Sequence, residues 1–180
     1  MPGRFFVRGS ESMNRFLKTI DAISAWTGKG IAWIIIPNVL ALVYEFFARY
    51  VFGAPTIWSY EVTYFFYGTH FLLGAAYTLH LKAHIRIDIF YQTISPRGRA
   101  IVDTVGYLVF FFPVLLLLVY AGAAFTLQSF EMNEKSGLSP WRPYLFPYKA
   151  VIVIAIFLLF LQGIAEFIRN ASQALKGKEL

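Results

Sequence analysis

The chain has 180 residues, of which 58% are hydrophobic and 14% charged, and it contains no cysteine. A soluble domain of this size could not bury so many apolar side chains, so the composition favours a membrane protein. The lack of cysteine excludes disulfides, thiolate catalysis, iron–sulfur clusters and cysteine-based zinc sites. The net charge of +6 does not indicate nucleic-acid binding, because the basic residues lie beside the ends of apolar blocks and form no continuous polar surface.

The N-terminal segment precedes the apolar blocks. Residues 1–12 have no periodic pattern and are expected to form an extension without order, and Met13 is an alternative start. Between Met13 and Trp26, apolar residues recur at helical spacing, which predicts an amphipathic helix lying in the membrane surface. No uninterrupted apolar run of signal-peptide length occurs before Gly28, so no cleavage is expected.

Four apolar blocks are each about long enough to cross the hydrocarbon core of a bilayer as an α-helix. The predicted spans are residues 31–47, 62–81, 104–127 and 150–165. The predicted fold class is therefore all-α, an integral membrane protein with four transmembrane helices in one domain. This domain is expected to cover residues 13–175, followed by a cytoplasmic tail at 176–180.

Prolines and serines predict where helices bend and begin. Pro37 lies inside the first span and removes a helix hydrogen bond, which predicts a kink. Ser59 is expected to cap the second transmembrane helix, and Ser95 followed by Pro96 is expected to begin the third. Pro147 predicts the start of the fourth.

Basic residues are distributed unequally between the two sides of the predicted bundle. Twelve of the sixteen lie on the side of the two termini and of the 82–100 loop, and the other side has Arg49, Lys135, Arg142 and Lys149. Because cytoplasmic loops retain Lys and Arg, both termini are predicted to be cytoplasmic.

Charged residues lie near the outer ends of the first two spans. Glu45 and Arg49 are four residues apart on one helix, in the order that favours an ion pair, and Glu61 begins the next helix. These three side chains are expected to form one cluster, because acidic residues near the ends of transmembrane helices need partners. The cluster is either a docking or gating site or a structural clamp between the two helices.

The segment at the inner end of the second span contains further polar residues. His84, Arg86 and Asp88 are expected to form a structural polar cluster there. His80, His84 and Asp88 share one face if the helix continues, which raises the alternative of a metal site, but Arg86 between them favours a cluster that ends the helix. His70 lies within the membrane and is expected to form a hydrogen bond between helices.

The loop from Glu131 to Lys149 contains three prolines and several aromatic residues. This composition predicts an ordered, extended cap on the outer face that is able to receive a soluble partner. Trp58 and Trp141 on the same side suit a belt of aromatic residues at the membrane interface.

Four short motifs occur in order along the chain: Arg49-Tyr50-Val51-Phe52-Gly53, Trp58-Ser59-Tyr60-Glu61, Gly74-Ala75-Ala76-Tyr77 and His84-Ile85-Arg86-Ile87-Asp88. On a chain of this size, this ordered set resembles the small membrane subunit of TRAP (tripartite ATP-independent periplasmic) transporters. The resemblance covers residues 13 to 175. The segment from Pro140 to Lys149 further resembles a branch associated with keto acids, mannitol and similar organic solutes.

The resemblance implies a protein of the bacterial inner membrane that works with a large TRAP membrane subunit and a periplasmic substrate-binding protein, surrounded by membrane lipids. The large subunit would contain the sodium and substrate sites, so this chain is expected to hold no cofactor, metal or catalytic residue. It would be the scaffold in sodium-coupled uptake of an organic acid or similar solute. Candidates for docking a partner subunit or the binding protein are Arg49, Trp58, Glu61, Trp141 and Arg142.

Two alternatives remain open. A small exporter that works as a homodimer would be expected to need an ionisable residue deep within a helix, where His70 and Lys29 are the deepest candidates. A membrane anchor for a redox complex is disfavoured because all three histidines lie between positions 70 and 84. A four-helix cytochrome usually places its haem ligands on facing helices.

Overall fold

The computed structural model describes residues 3–83 and 94–176, with the side chains of residues 13–83 and 94–175. This part of the chain forms six α-helices: α1 Gly3–Ala32, α2 Ile35–Tyr50, α3 Ser59–His80, α4 Pro96–Gly106, α5 Phe112–Glu131 and α6 Phe146–Lys176. A π-helical segment, Tyr107–Phe111, joins α4 to α5. Apart from an isolated bridge between Lys135 and Tyr144, the described residues contain no β-structure, so the predicted all-α class is confirmed.

The helices form a bundle with two ends. The starts of α1 and α4 and the ends of α3 and α6 lie at one end, here called the terminal end, where Arg97 Nε donates a hydrogen bond to Ala174 O over 2.9 Å. The segments 51–58 and 132–145 lie at the opposite end, called the loop end. α6 is central, because it packs against α1, α3, α4 and α5, whereas α2 packs against α3.

Three helical stretches of the described chain are long and apolar enough to cross a membrane: Met13–Tyr50, Pro96–Glu131 and Phe146–Leu175. They contain the predicted spans 31–47, 104–127 and 150–165. The predicted span 62–81 corresponds to α3, whose 22 residues extend over about 33 Å but which is not among these three stretches. The count of four transmembrane helices therefore stays a prediction.

A short break at Trp33 and Ile34 separates α1 from α2. Pro37 explains the break, because its nitrogen cannot donate to the Trp33 carbonyl and its ring crowds that group. Tighter bonds replace the missing one: Ile34 N donates to Ile31 O over 3.0 Å, and Ile36 N donates to Trp33 O over 3.2 Å. The predicted proline kink is confirmed, and it lies one helical turn before the proline.

One face of α1 points into the bundle. Leu17, Ile20, Ser24 and Gly28 are buried and recur at helical spacing. Leu17 and Ile20 form an apolar cluster with Ala165 of α6. Because α1 packs on α3 and α6 and continues into the first candidate span, its placement as an amphipathic helix in the membrane surface stays a prediction.

Two serines at helix starts have different roles. Ser95 caps α4, because its Oγ accepts a hydrogen bond from Gly98 N over 3.2 Å, and Pro96 is the first helical residue, as predicted. Ser59 is itself the first residue of α3, and its hydroxyl donates to the Ala41 carbonyl of α2 over 3.1 Å. The predicted cap at Ser59 is wrong, since its hydroxyl connects two helices instead.

Pro113 explains the π-helical segment between α4 and α5. Since a proline nitrogen cannot donate, the regular ladder is interrupted, and Phe112 N donates to Tyr107 O, five residues back. The ring of Phe111 in this segment lies on Gly163 of α6, where an added Cβ would be 2.1 Å from Phe111 Cε1. The wider turn thus brings an aromatic ring into direct contact with the backbone of the central helix.

Two further helix contacts place an aromatic ring on a glycine. Tyr77 of α3 lies against Gly28 of α1, and Tyr148 of α6 lies against Gly68 of α3. A Cβ on Gly28 would be 2.4 Å from both Cβ and Cγ of Tyr77. Because those atoms adjoin the α3 backbone, a larger residue at this position fits only if the two helices separate.

We expect Gly28→Ala to reduce the free energy of unfolding in detergent by about 1–3 kcal/mol, because the added methyl group overpacks the contact between α1 and α3. Denaturant titration of the purified chain measures this change. Gly74→Ala is the matched control, since no atom lies within 4 Å of a Cβ built there. Alanine favours a helix over glycine by about 1 kcal/mol, so the control should be equally or more stable. Equal destabilisation by both substitutions would contradict the packing described here.

Candidate functional site

A network of polar side chains connects α1, α3 and α6 at the terminal end. Asp21 of α1 is its centre: Oδ1 accepts a hydrogen bond from Gln162 Nε2 over 3.1 Å and lies 3.1 Å from His80 Nδ1. Its Oδ2 forms an ion pair with Arg169, which also donates to Glu166 Oε1. The network therefore contains two carboxylates that share one guanidinium.

Gln162 is the most deeply buried member of this network, with 0% of its surface exposed. Its amide oxygen accepts a hydrogen bond from Ser24 Oγ over 2.7 Å, and its amide nitrogen donates to Asp21. Buried polar groups cost free energy unless they are hydrogen-bonded. Because both polar atoms of Gln162 have partners on α1, these bonds fix the position of α1 along α6.

A polar cavity of about 200 Å³ lies beside the network, between α1, α3 and α6. Four members of the network line it, and Lys82, Asn170 and Gln173 complete its walls. Lys82 directly follows the end of α3, and the other two continue the same region of α6 toward its end. Charged and amide groups from three helices thus surround one small volume.

Of the polar residues predicted for the inner side of the membrane, the structure describes only some. His84, Arg86 and Asp88 lie outside the described residues. His80, which the sequence placed with them as a possible ligand, faces Asp21. Within residues 13–83 and 94–175, no three His, Asp or Glu side chains are grouped so that they could hold a metal ion.

Sequence reasoning missed the Asp21 network. Gln162, Glu166 and Arg169 follow one another at intervals of four and three, which places them on one face of α6, and this pattern is the signal that could have found them. Asp21 is 141 residues from Gln162. No local pattern pairs residues so far apart.

His70 connects two helices, as predicted. Its Nδ1 lies 3.2 Å from the carbonyl oxygen of Ile31, near the end of α1. This contact joins α3 to α1 close to the break at Trp33. A polar side chain within the bundle is thereby satisfied by the backbone of a neighbouring helix.

Glu45 holds the segment between α2 and α3 at the loop end. Its Oε1 accepts a hydrogen bond from Arg49 Nε over 2.8 Å, which confirms the predicted pair. Its Oε2 accepts from the backbone nitrogen of Thr56 over 3.0 Å and from the Thr56 hydroxyl. Because Glu45 bonds to both α2 and the connecting segment, it holds that segment against the helix.

Glu61 is completely buried at the start of α3. Ser139 Oγ, in the 132–145 segment, donates to Oε1, whereas Oε2 has no hydrogen-bond partner among the described residues. The carboxyl group lies in the first turn of its helix, where the helix dipole stabilises negative charge. Glu61 is thus paired with Ser139 rather than with Arg49, and it fastens the second loop-end segment.

The 132–145 segment is ordered by its own hydrogen bonds, as predicted for this loop. Ser136 N donates to Pro143 O over 2.8 Å, and Leu145 N donates to Glu134 O over 3.0 Å. Ser136 is buried under the segment. Backbone pairing across the segment gives it a fixed shape without a regular strand.

Lys149 connects this segment to the bundle. Its ammonium lies 3.5 Å from the centroid of the Phe125 ring and forms an ion pair with Glu134, and the side chain is almost fully buried. The hydrogen bond from Lys149 holds the pKa of the Glu134 carboxyl below its ordinary value, although desolvation acts in the opposite direction. The Glu134 carboxyl is therefore ionised at neutral pH, where it pairs with Lys149.

Four of the residues predicted to dock a partner are accessible at the loop end. Arg49 and Arg142 are exposed, Trp141 is 42% exposed, and Trp58 is partly covered where its ring stacks on Tyr44 with 5.9 Å between centroids. Arg142 has a left-handed backbone with φ of 49°, which is unusual for a residue with a Cβ. Its side chain is presented from a sharp bend next to Trp141.

Long apolar helices that are joined by hydrogen bonds between buried polar side chains are typical of a helical integral membrane protein. The family profile described as "Tripartite ATP-independent periplasmic transporters, DctQ component" matches residues 38–173. The chain belongs to this family, so the resemblance seen in its motifs is confirmed. The family consists of transporter components.

A curated relative is the sialic acid TRAP transporter permease protein SiaT of Haemophilus influenzae, which is 25% identical over 147 residues. The match covers 82% of this chain and 23% of the relative. The chain thus spans less than a quarter of the length of the relative that it matches.

We expect Ser24→Ala to lower the free energy of unfolding by about 1–3 kcal/mol, because it leaves the buried amide oxygen of Gln162 without a donor. Denaturant titration in detergent measures the change. Thr19→Ala is a suitable control, since the Thr19 hydroxyl donates to the Arg15 carbonyl on its own exposed helix face. If Thr19→Ala lowers the free energy of unfolding as much as Ser24→Ala does, the network has no specific role in stability.

Proposed function

We propose that this chain is the small permease subunit of a TRAP transporter and the scaffold for a large membrane subunit. The complex would carry out sodium-coupled secondary uptake of an organic acid or similar solute, delivered by a periplasmic binding protein. The observation that carries the proposal is that ionisable side chains at the terminal end pair with one another, in a chain that belongs to this family. Arg169 of α6 pairs with Asp21 of α1 and with Glu166 of its own helix, which suits a rigid support.

The length of the relative supports a division of labour between two membrane subunits. Most of that permease protein lies outside the part that this chain matches. A larger partner subunit would supply the counterpart of the remainder, including the sites for sodium and solute. Coupling to sodium would then belong to the complex and not to this chain.

The path of the chain supports α3 as a fourth transmembrane helix. The stretches Met13–Tyr50 and Pro96–Glu131 both run from the terminal end to the loop end, so α3 must return the chain between them. Its length of about 33 Å is sufficient. α3 packs against α1, α2 and α6, and its Ser59 and Glu61 are buried while its two histidines are partly covered.

Orientation follows from the basic residues. The terminal end has the excess of Lys and Arg, so we place it and both termini in the cytoplasm of a bacterial cell, with the protein in the inner membrane. The loop end then faces the periplasm, where the binding protein approaches.

The loop end offers a surface for that binding protein or for the large subunit. Trp141 and Arg142 project from the 132–145 segment, which Glu61 holds in place through Ser139, two residues before Trp141. Glu61 would therefore act indirectly, by positioning the segment. The other accessible candidates on this surface are Arg49 and Trp58.

The scaffold role predicts that the chain alone transports nothing. Vesicles containing only this chain should show no solute uptake under an inward sodium gradient, whereas vesicles that also contain the large subunit should take up solute when the binding protein is added. Radiolabelled solute uptake measures both conditions. Sodium-driven uptake by this chain alone would overturn the scaffold role and favour a self-sufficient transporter.

We expect Arg142→Gly to reduce uptake by the complete system by about tenfold, because it removes one charged contact to the partner. Glycine tolerates the left-handed backbone at this position, so the segment keeps its shape. Asn133→Gly is the matched control, because Asn133 has a φ of 48° in the same segment. If uptake with Arg142→Gly equals that of the control, Arg142 has no docking role.

A further inference from the structure

The polar cavity at the terminal end contains groups that the Asp21 network leaves unused. Asp21 already faces three nitrogen groups, and Arg169 is shared between two carboxylates. Lys82, Asn170 and Gln173 also line the cavity, and within the described residues they have no hydrogen-bond or ion-pair partner. One ammonium and two amides are therefore available to a ligand.

Lys82 has a backbone conformation that is unusual for a lysine. Lys82 N donates to Leu79 O over 2.9 Å and Ala83 N donates to Thr78 O over 3.0 Å, which is the pattern of a Schellman helix end. Lys82 takes the left-handed position of this motif, with φ of 53°. Glycine or asparagine fits that conformation with less strain. A lysine here therefore places an ammonium at the cavity despite a local conformational cost.

Acidic and basic side chains both line the cavity. The acidic ones are Asp21 and Glu166, and the basic ones are Lys82, Arg169 and His80, of which His80 faces Asp21. Glu166 uses Oε1 to bind Arg169, and within the described chain its Oε2 has no hydrogen-bond partner. The unused groups are thus a cation, two amides and a carboxylate oxygen around one small volume. Such a set suits a ligand that itself contains both an anionic and a cationic group.

The position and size of the cavity indicate where such a ligand comes from. The cavity lies where α3 and α6 approach the terminal end, just past the predicted span 150–165, so the proposed membrane placement puts it near the depth of phospholipid headgroups. Its volume of about 200 Å³ equals that of roughly seven water molecules in the liquid. A phosphate joined to an ethylammonium group, with about eight heavy atoms, is of comparable size.

We propose that this cavity binds the phosphoethanolamine headgroup of a membrane phospholipid. Lys82, Asn170 and Gln173 bind the phosphate, and Glu166 binds the ammonium. The inference rests on the proposed membrane placement of the terminal end but not on transport. A lipid in this cavity would bridge α3 and α6 and stabilise the end of the bundle where α1 is also attached.

Calorimetric titration of the purified full-length chain in detergent tests the proposal. The ligands are a short-chain phosphatidylethanolamine and the phosphatidylglycerol of equal chain length. We expect the dissociation constant for phosphatidylethanolamine to be about tenfold lower than that for phosphatidylglycerol, because phosphatidylglycerol has no ammonium to bind Glu166. Equal affinity for the two lipids would overturn the proposal.

Lys82→Asn removes the ammonium but keeps the backbone conformation, because asparagine tolerates the left-handed region. This variant should bind phosphatidylethanolamine about tenfold more weakly, and Lys82→Gly should show the same loss. Lys18→Gln is the control, since it removes an exposed lysine of α1 at the same end that does not line the cavity. Its affinity should stay within about twofold. Unchanged binding by both Lys82 variants would refute the site.

Soluble glycerophosphoethanolamine distinguishes a lipid from a free metabolite with the same headgroup. It should bind more weakly than the lipid, which also contacts apolar surface through its chains. Binding of the soluble compound as tightly as the lipid would overturn the assignment to a membrane phospholipid. If the complete system shows no uptake, the proposed function is refuted, but these binding measurements are unaffected.

Discussion

The placement of a carboxylate among three helices is the constraint on which the rest of this bundle depends. A carboxylate that packs among helices is stable only when it is paired and hydrogen-bonded, and Asp21, whose side chain is 20% exposed, contacts His80 of α3 and Gln162 and Arg169 of α6. These bonds hold α1 against both helices. The tight contact between Gly28 and Tyr77 lies two turns further along the same face and follows from that placement.

The loop end is built by the same physical means. Glu45 binds the segment that leads into α3, and Glu61 binds the segment that leads into α6, so each carboxylate fixes one connection. These two carboxylates therefore form contacts within the protein. The outward surface is apolar over long stretches of α2, the π-helical segment and α5, which suits lipid or another membrane subunit.

Between the two polar ends, the helices are held by close packing. Lipid chains are as apolar as leucine, so burial of apolar surface gives little drive for helices to associate in a bilayer, and intimate contact matters more. Aromatic rings on Gly28, Gly68 and Gly163 provide that contact at three helix interfaces. The π-helical segment before Pro113 contributes by presenting the ring that rests on Gly163.

The sequence by itself determined the class of protein, the approximate limits of its apolar spans, the proline break before α2, the capped start of α4 and the family. These features depend on local composition and on residues near one another in the chain. The pairing of Asp21 with Gln162, across 141 residues, and of Glu61 with Ser139, across 78, was decided by the tertiary structure. Helical periodicity records which face of a helix a residue occupies, but not which other helix covers that face. Ser59 shows the limit clearly: its sequence context predicted a cap, and only the position of α2 made the Ala41 carbonyl its partner.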